Sequence, residues 1–272
     1  MQTEKQKING ITFLRRNWVI DNAKADVLLV HGYGEHSGRY EETASRLNDV
    51  GFSVYSYDRR GEGLTEGKKA HIQSINNHVD DLKEIKKSIE NSGRKLFILA
   101  HSLGGLVSLT YLLDHTPTDI EGVVFSSPFI KIDENTSPLL QKLAGVISKI
   151  APKLATVAVD SSLISRDSSE VAKYNDDPLV FHGKVNAKTG FEMIKAIKHV
   201  NAKFSEFNLP FLVVHGSEDK IADPQGSKWL HERALSSDKQ IVILDGLYHE
   251  TMREPEKEMF FDNIISWLNS RV

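Results

Sequence analysis

ADVLLVHG around Val27 to Val30, FSVYSYD from Phe52 to Asp58 and KLFILAHS around Leu96 to Ala100 are nearly continuous apolar runs with no polar alternation. Strands covered on both faces read this way. Between them, YEETASRLNDVG ending at Gly51 and HVDDLKEIKKSIENSG ending at Gly93 have a helical period, each closed by a glycine where a left-handed cap belongs. In the second, Val79, Leu82, Ile85 and Ile89 share one face and charges take the other. Strand, helix and strand alternating at this tempo predict an α/β chain, a mostly parallel central sheet flanked by helices on both sides. EGVVFSSP, PFLVVHG and IVILDG supply further strands near Val123 to Phe125, Phe211 to His215 and Ile241 to Leu244, and ITFLRRNWVI an N-terminal hairpin.

The interval from Phe129 to Phe207 is too long for one crossover, so the pattern divides the chain into a core, residues 1–128 and 208–272, and an inserted cap, residues 129–207. With 272 residues and 40% hydrophobic content, one well-filled core is enough. In SPLLQKLAGVISKIAPKLATVAV, Leu140, Leu143, Ile147, Ile150 and Leu154 lie on one helical face and Lys142, Lys149 and Lys153 on the other, with Pro152 set to kink or restart the helix. Two readings remain open: a helix packed on the core, or a cap whose apolar face lines a lipid-accepting mouth or touches a membrane surface. They differ in whether that face is covered.

A net charge of -3 argues against a nucleic-acid surface or a polybasic membrane patch. The absence of cysteine excludes disulfides and thiol catalysis. The polar start MQTEKQKING and the lack of any run near the ~18 apolar residues of a membrane span predict a cytoplasmic protein, at most peripheral to membranes. Oligomeric state is not encoded in any pattern of this kind.

AHSLG, Ala100 to Gly104, has the spacing of a nucleophile turn between a strand and a helix, with alanine where glycine is usual. On this segment alone Ser102 is either a helix cap or a nucleophile. A serine nucleophile needs a base and an orienting acid. GSEDKIAD places Asp219 just after the strand ending at His215, and DGLYHE places His249 after the strand ending at Leu244, both at carboxyl ends where such sheets build sites. Asp223 is the rival acid. His31, His101 and His215 also stand near strand ends, but on different strands and without a helical ligand pair, so no metal is expected. Charge developing on a carbonyl oxygen needs donors already in place. The Leu103 amide follows Ser102 directly, and HGYG between Gly32 and Gly34 either aims the Tyr33 amide at the same point or is a flexible loop. This equipment requires no cofactor.

Together HGYGEHSGRY, YDRRGEG, AHSLGG, HGSEDKIAD and YHE resemble the alpha/beta-hydrolase superfamily, and within it the monoacylglycerol lipase or lysophospholipase-like family. The resemblance implies the alpha/beta-hydrolase fold with an inserted helical cap, Ser102, Asp219 and His249 as triad, and the Tyr33 and Leu103 amides as oxyanion hole. It implies hydrolysis of a monoacylglycerol to glycerol and fatty acid, an acyl channel under the cap, and transient lipid-surface contact through that cap. Glu35, Arg39 and His101 stand where the polar end of the substrate would lie, and Glu35 with Arg39 equally suits an ion pair at helical spacing. The chain departs from the family's usual DHRGHG at Arg59 and Glu62. A lysophospholipase or broad carboxylesterase would use the same residues. A non-catalytic binding protein of the same fold is the alternative of a different class, and Ser102 in place of a carboxylate disfavours epoxide and haloalkane hydrolysis.

Overall fold

A computed structural model describes residues 1–89, 93–131 and 145–272. The hairpin of β1 (Gln2–Ile8) and β2 (Ile11–Trp18) turns on Asn9 and Gly10, both left-handed, as a two-residue turn between right-twisted strands demands. Then come β3 (Ala25–Val30), α1 (Glu41–Asp49), β4 (Phe52–Tyr57), α2 (Ile75–Lys87), β5 (Leu96–His101), α3 (Leu103–His115) and β6 (Gly122–Ser126). The helical residues 145–150 (α4), β7 (Ala155–Ala158), α5 (Ser168–Asp176) and β8 (Lys184–Asn186) follow. The chain ends with α6 (Ala187–Ala202), β9 (Phe211–Gly216), α7 (Pro224–Arg233), β10 (Lys239–Leu244) and α8 (Lys257–Asn269).

Among the described residues the main sheet has eight strands in the order β1-β2-β4-β3-β5-β6-β9-β10, parallel from β4 to β10 and antiparallel at the hairpin. One core lies under α2, α3 and α6, built from Leu82, Ile85, Leu106, Leu109, Ile197 and Val200. The other lies under α1 and α8, built from Leu47, Phe260, Ile264 and Trp267. β3 and β5 are buried along their whole length, which accounts for their unbroken apolar reading. The strand order reverses between β3 and β5, so the loops that leave these two strands splay apart and open a crevice at their carboxyl ends.

Two features of the segment expected to form the cap were not read from the sequence. α6 lies within 129–207, yet Met193, Ala196, Ile197 and Val200 join the core beneath the sheet. That packing draws the carboxyl end of the insertion back toward Asn186. The insertion also contains a two-stranded antiparallel ribbon of β7 and β8, and α4 stops before Pro152, whose ring disfavours helix in the residue preceding it. Leu154 therefore lies beyond the helix. Leu140, Leu143 and Lys142, expected on its faces, fall outside the described residues.

Candidate active site

Ser102 occupies the one-residue turn between β5 and α3 with φ 51° and ψ -120°, a left-handed conformation costly for a residue with a side chain. The surroundings over-determine it. Its amide donates to Ser126 O at 3.0 Å, and its carbonyl accepts from Gly105, Leu106 and Phe129. Gly104 is obligatory, because a Cβ there would stand 2.2 Å from Val30 O and 2.5 Å from His31 O. The alanine at position 100 fits within β5, fully buried and paired with Val30 and Phe125, so the strain rests on Ser102 alone.

The hydroxyl of Ser102 makes no cap bond to α3 and lies 2.9 Å from His249 Nε2. His249 Nδ1 lies 2.7 Å from Asp219 Oδ2. An ionised carboxylate only accepts, so Nδ1 carries the proton and Nε2 presents its lone pair to the hydroxyl. Asp219 sits in the loop after β9, where its Oδ1 accepts from the amides of Ile221 and Ala222 and its Oδ2 also meets His215 Nε2 at 2.9 Å. Burial pushes Asp219 up, but His249 and the hydrogen bonds from His215 and His249 together hold it well below the usual carboxylate range. Burial pushes His249 down and is outweighed by Asp219, so the imidazole ends above its ordinary value. Asp223 caps α7 through the Gln225 amide and pairs with Lys131 at 2.6 Å, which commits it elsewhere.

The amides of Tyr33 and Leu103 donate to no protein acceptor among the described residues, in contrast to those of Gly32 and Gly34. Gly34 takes φ 71°, and a Cβ on Gly32 would touch Ser102 Cβ at 3.3 Å, so this loop closes directly over the serine. The arrangement can pass a proton from a hydroxyl to an imidazole, and it leaves two amides beside the serine without a protein acceptor among the described residues.

Glu35 and Arg39 form the ion pair, at 2.7 Å, rather than pointing free heads into the crevice. Glu35 Oε1 accepts from the Gly32 amide at 2.6 Å and from the Tyr40 hydroxyl at 2.7 Å. Arg39 also donates both ends of its guanidinium to Glu250, each at 2.8 Å. His101 holds Ser126 through Nδ1 and lies 4.8 Å, centroid to centroid, from the His249 ring. Burial and the neighbouring His249 push it down to about 4, which keeps it neutral and makes it part of the wall. Glu250, His215 and the Arg59 and Glu62 side chains beside the loop were not identified from sequence as members of the site. The one signal available was the pair of departures in DRRGEG. His36 also ties the loop to the insertion through Asp177 at 2.8 Å, and Phe181 N donates to Gly34 O at 2.7 Å.

Residues 21–256 match the family described as serine aminopeptidase, S33. The chain is 32% identical to the monoacylglycerol lipase of Mycolicibacterium smegmatis, over 97% of this chain and 95% of that protein. It is 32% identical to the monoglyceride lipase of Homo sapiens, over 91% of this chain and 83% of that one. The crystal structure of Paleococcus ferrophilus monoacylglycerol lipase superposes with a TM-score of 0.84 at 34% identity, covering 100% of both chains.

Proposed function

The chain belongs to the serine aminopeptidase S33 family of alpha/beta hydrolases, and from that premise we propose that it is a carboxylic ester hydrolase cleaving monoacylglycerols to glycerol and fatty acid. The observation that carries the reading is the unbroken line from Asp219 Oδ2 through His249 to Ser102 Oγ, with contacts of 2.7 and 2.9 Å.

Ser102 attacks the ester carbonyl as His249 takes its proton, and the tetrahedral oxyanion settles on the Tyr33 and Leu103 amides. His249 then protonates the departing glycerol oxygen. Water, deprotonated by the same imidazole, releases the fatty acid from the acyl-enzyme. Asp219 holds the ring in register throughout and stabilises the imidazolium.

The cap carries the lipid side of the reaction. Ile150 is 80% exposed and Leu154, beyond the helix, 52%, so neither side chain is covered by the core. Val157, in the ribbon, adds a third exposed apolar side chain, with Lys149 and Lys153 alongside. No helix among the described residues is long and apolar enough to cross a membrane. An enzyme that meets lipid surfaces transiently through this cap fits the exposed apolar side chains.

The test is the hydrolysis rate of wild type and Ser102→Ala across monoacylglycerols, a matched lysophospholipid and short soluble esters, with folding checked for both. Monoacylglycerol preference abolished in Ser102→Ala is the expected result. Preference for the lysophospholipid would move the substrate, and no hydrolysis together with no serine labelling in folded wild type would overturn the enzyme reading.

A further inference from the structure

The loop over Ser102 is gripped from behind by groups that take no part in the proton relay. Glu35 Oε1 accepts the Gly32 amide at 2.6 Å, and Glu62 Oε1 accepts the Gly34 amide at 3.0 Å. Arg59 spans the same loop, donating through Nε to His31 O at 3.1 Å and through Nη2 to Gly32 O. Its Nη2 stands 3.6 Å from Glu62 Oε1, and both side chains are buried. The amides on either side of Tyr33 are thus drawn inward onto two carboxylates. The Tyr33 amide between them is left without a protein acceptor among the described residues.

Gly32 and Gly34 have no side chains to restrain their peptides, and a Gly-Tyr-Gly segment left to itself would sample many orientations. A donor that must be re-aimed during the reaction loses most of its value, because oxyanion stabilisation depends on donors fixed beforehand. Glu35 anchors one peptide from inside its own loop. The other anchor, Glu62, comes from the loop after β4. Arg59 supplies the positive charge beside it.

We propose that Glu62, balanced by Arg59, is a positioning residue that fixes the Gly34 peptide and so holds the Tyr33 amide toward the oxygen of the attacked carbonyl. The proposal rests on the reading of Ser102 as nucleophile and Tyr33 as oxyanion donor. Burial lifts the Glu62 carboxyl to about 7 against the pull of Arg59, so the loop is offered an acceptor oxygen rather than a permanent full charge. A glutamine, which keeps that oxygen, should serve in its place.

The experiment compares wild type, Glu62→Ala, Glu62→Met and Glu62→Gln on a short soluble ester that makes no demand on the cap. A matching trifluoromethyl ketone is used as inhibitor, because its adduct with the serine carries an oxyanion. Removal of the acceptor in Glu62→Ala or Glu62→Met is expected to lower kcat about 30-fold with KM within about 3-fold, less than loss of an oxyanion donor itself. The ketone should weaken by a similar factor, while binding of the fatty-acid product stays level. Glu62→Gln should restore kcat to within about 3-fold of wild type. If Glu62→Ala does not fold, the near-isosteric Met and Gln variants carry the comparison, and equal kcat in the two overturns the proposal. A loss expressed in KM, or product and ketone weakened alike, also overturns it. Wild type that neither turns over the ester nor labels with a fluorophosphonate would instead overturn the reading beneath it.

Discussion

Around Ser102 the carboxylates Asp219, Glu35 and Glu250 are buried and hydrogen-bonded, whereas residues 145–158 leave apolar groups bare. Asp219 alone receives the Ile221 and Ala222 amides and two imidazoles, and Arg39 closes a buried cluster with Glu35 and Glu250. In the insertion, Val146, Ile150, Leu154 and Val157 are all more than half exposed, and β7 is exposed along its length. The floor therefore spends its hydrogen bonds on fixing atoms to within tenths of an ångström, which proton transfer and oxyanion stabilisation need. Residues 145–158 expose an apolar surface that packs against nothing in the core. The first architecture tolerates little change at a single atom, and the second tolerates change one side chain at a time.

The largest break is at the floor. Ser102→Ala removes the proposed nucleophile and should lower kcat by at least about 10⁵-fold on every ester. A residual rate within a hundredfold of wild type would mean that another group attacks. Next comes Asp219→Asn, which keeps the shape but lets the His249 ring take the wrong tautomer. It should cost about 10⁴-fold in kcat. Its pH profile sharpens the point. In wild type the base must be neutral, so kcat/KM falls as pH drops through the His249 value, which Asp219 holds above the ordinary 6.5. Without the carboxylate's charge that limb must move toward lower pH, and an unmoved limb would remove Asp219 from the role given to it.

Much of this floor was legible in the sequence, for a physical reason. β3, β5, β6 and β9 are covered on both faces, so their composition announces them, and Ser102, Asp219 and His249 lie in the loops that leave the carboxyl ends of β5, β9 and β10, in the order Ser, Asp, His. The second layer was not legible. Arg39 meets Glu250 across 211 residues and Glu62 meets Gly34 across 28, and local sequence gives no sign of which charged side chains turn inward. The α6 packing and the ribbon of β7 and β8 were not legible for a different reason. The apolar stripe of α6 looks the same whether it faces a cap or the sheet, and β7 and β8 are too short to show a period.

Acid should break the floor before the cap. Burial keeps His31 down to about 3, His101 down to about 4 and His78 well below its ordinary value. These groups are neutral when folded and take up protons near 6.5 when unfolded, so their contribution is present above that pH and is lost as pH falls from it. Glu62, held up at about 7, works the other way by binding its proton in the folded state first, and His249 adds stability below 6.5. Three protons taken up by the unfolded chain against about one by the folded chain leave a net of roughly two, or roughly 3 kcal/mol of stability per pH unit between about pH 6 and 5. Glu35, Asp58 and Glu250, held low by Arg39, Arg16 and their neighbours despite burial, extend the loss below about pH 4.5. Urea titrations from pH 7.5 to 5 give this slope directly, and a flat profile would show that these histidines are not held neutral.

The smallest effect separates the two architectures most cleanly. Ile150 and Val157 stand 80% and 67% exposed, so replacing both with serine removes little packing and should shift folding stability by no more than about 0.5 kcal/mol per site. It does remove apolar surface that would otherwise leave water at a lipid interface, where each buried side chain of this size contributes roughly 1.5 kcal/mol or more when fully withdrawn and less when only its tip inserts. The double variant should therefore bind vesicles of neutral phospholipid containing monoacylglycerol more weakly and turn over that monoacylglycerol about 10-fold more slowly, a loss of the order of one partly inserted side chain. On a short soluble ester, which reaches Ser102 without any interface, kcat and KM should stay within about twofold, because these side chains touch none of the fixed atoms of the floor. Equal losses on both substrates would mean that the cap shapes the site itself and that the division between a rigid floor and a compliant lipid-facing cap is wrong. No loss on vesicles would leave the floor as described but take the lipid contact away from this face of the cap.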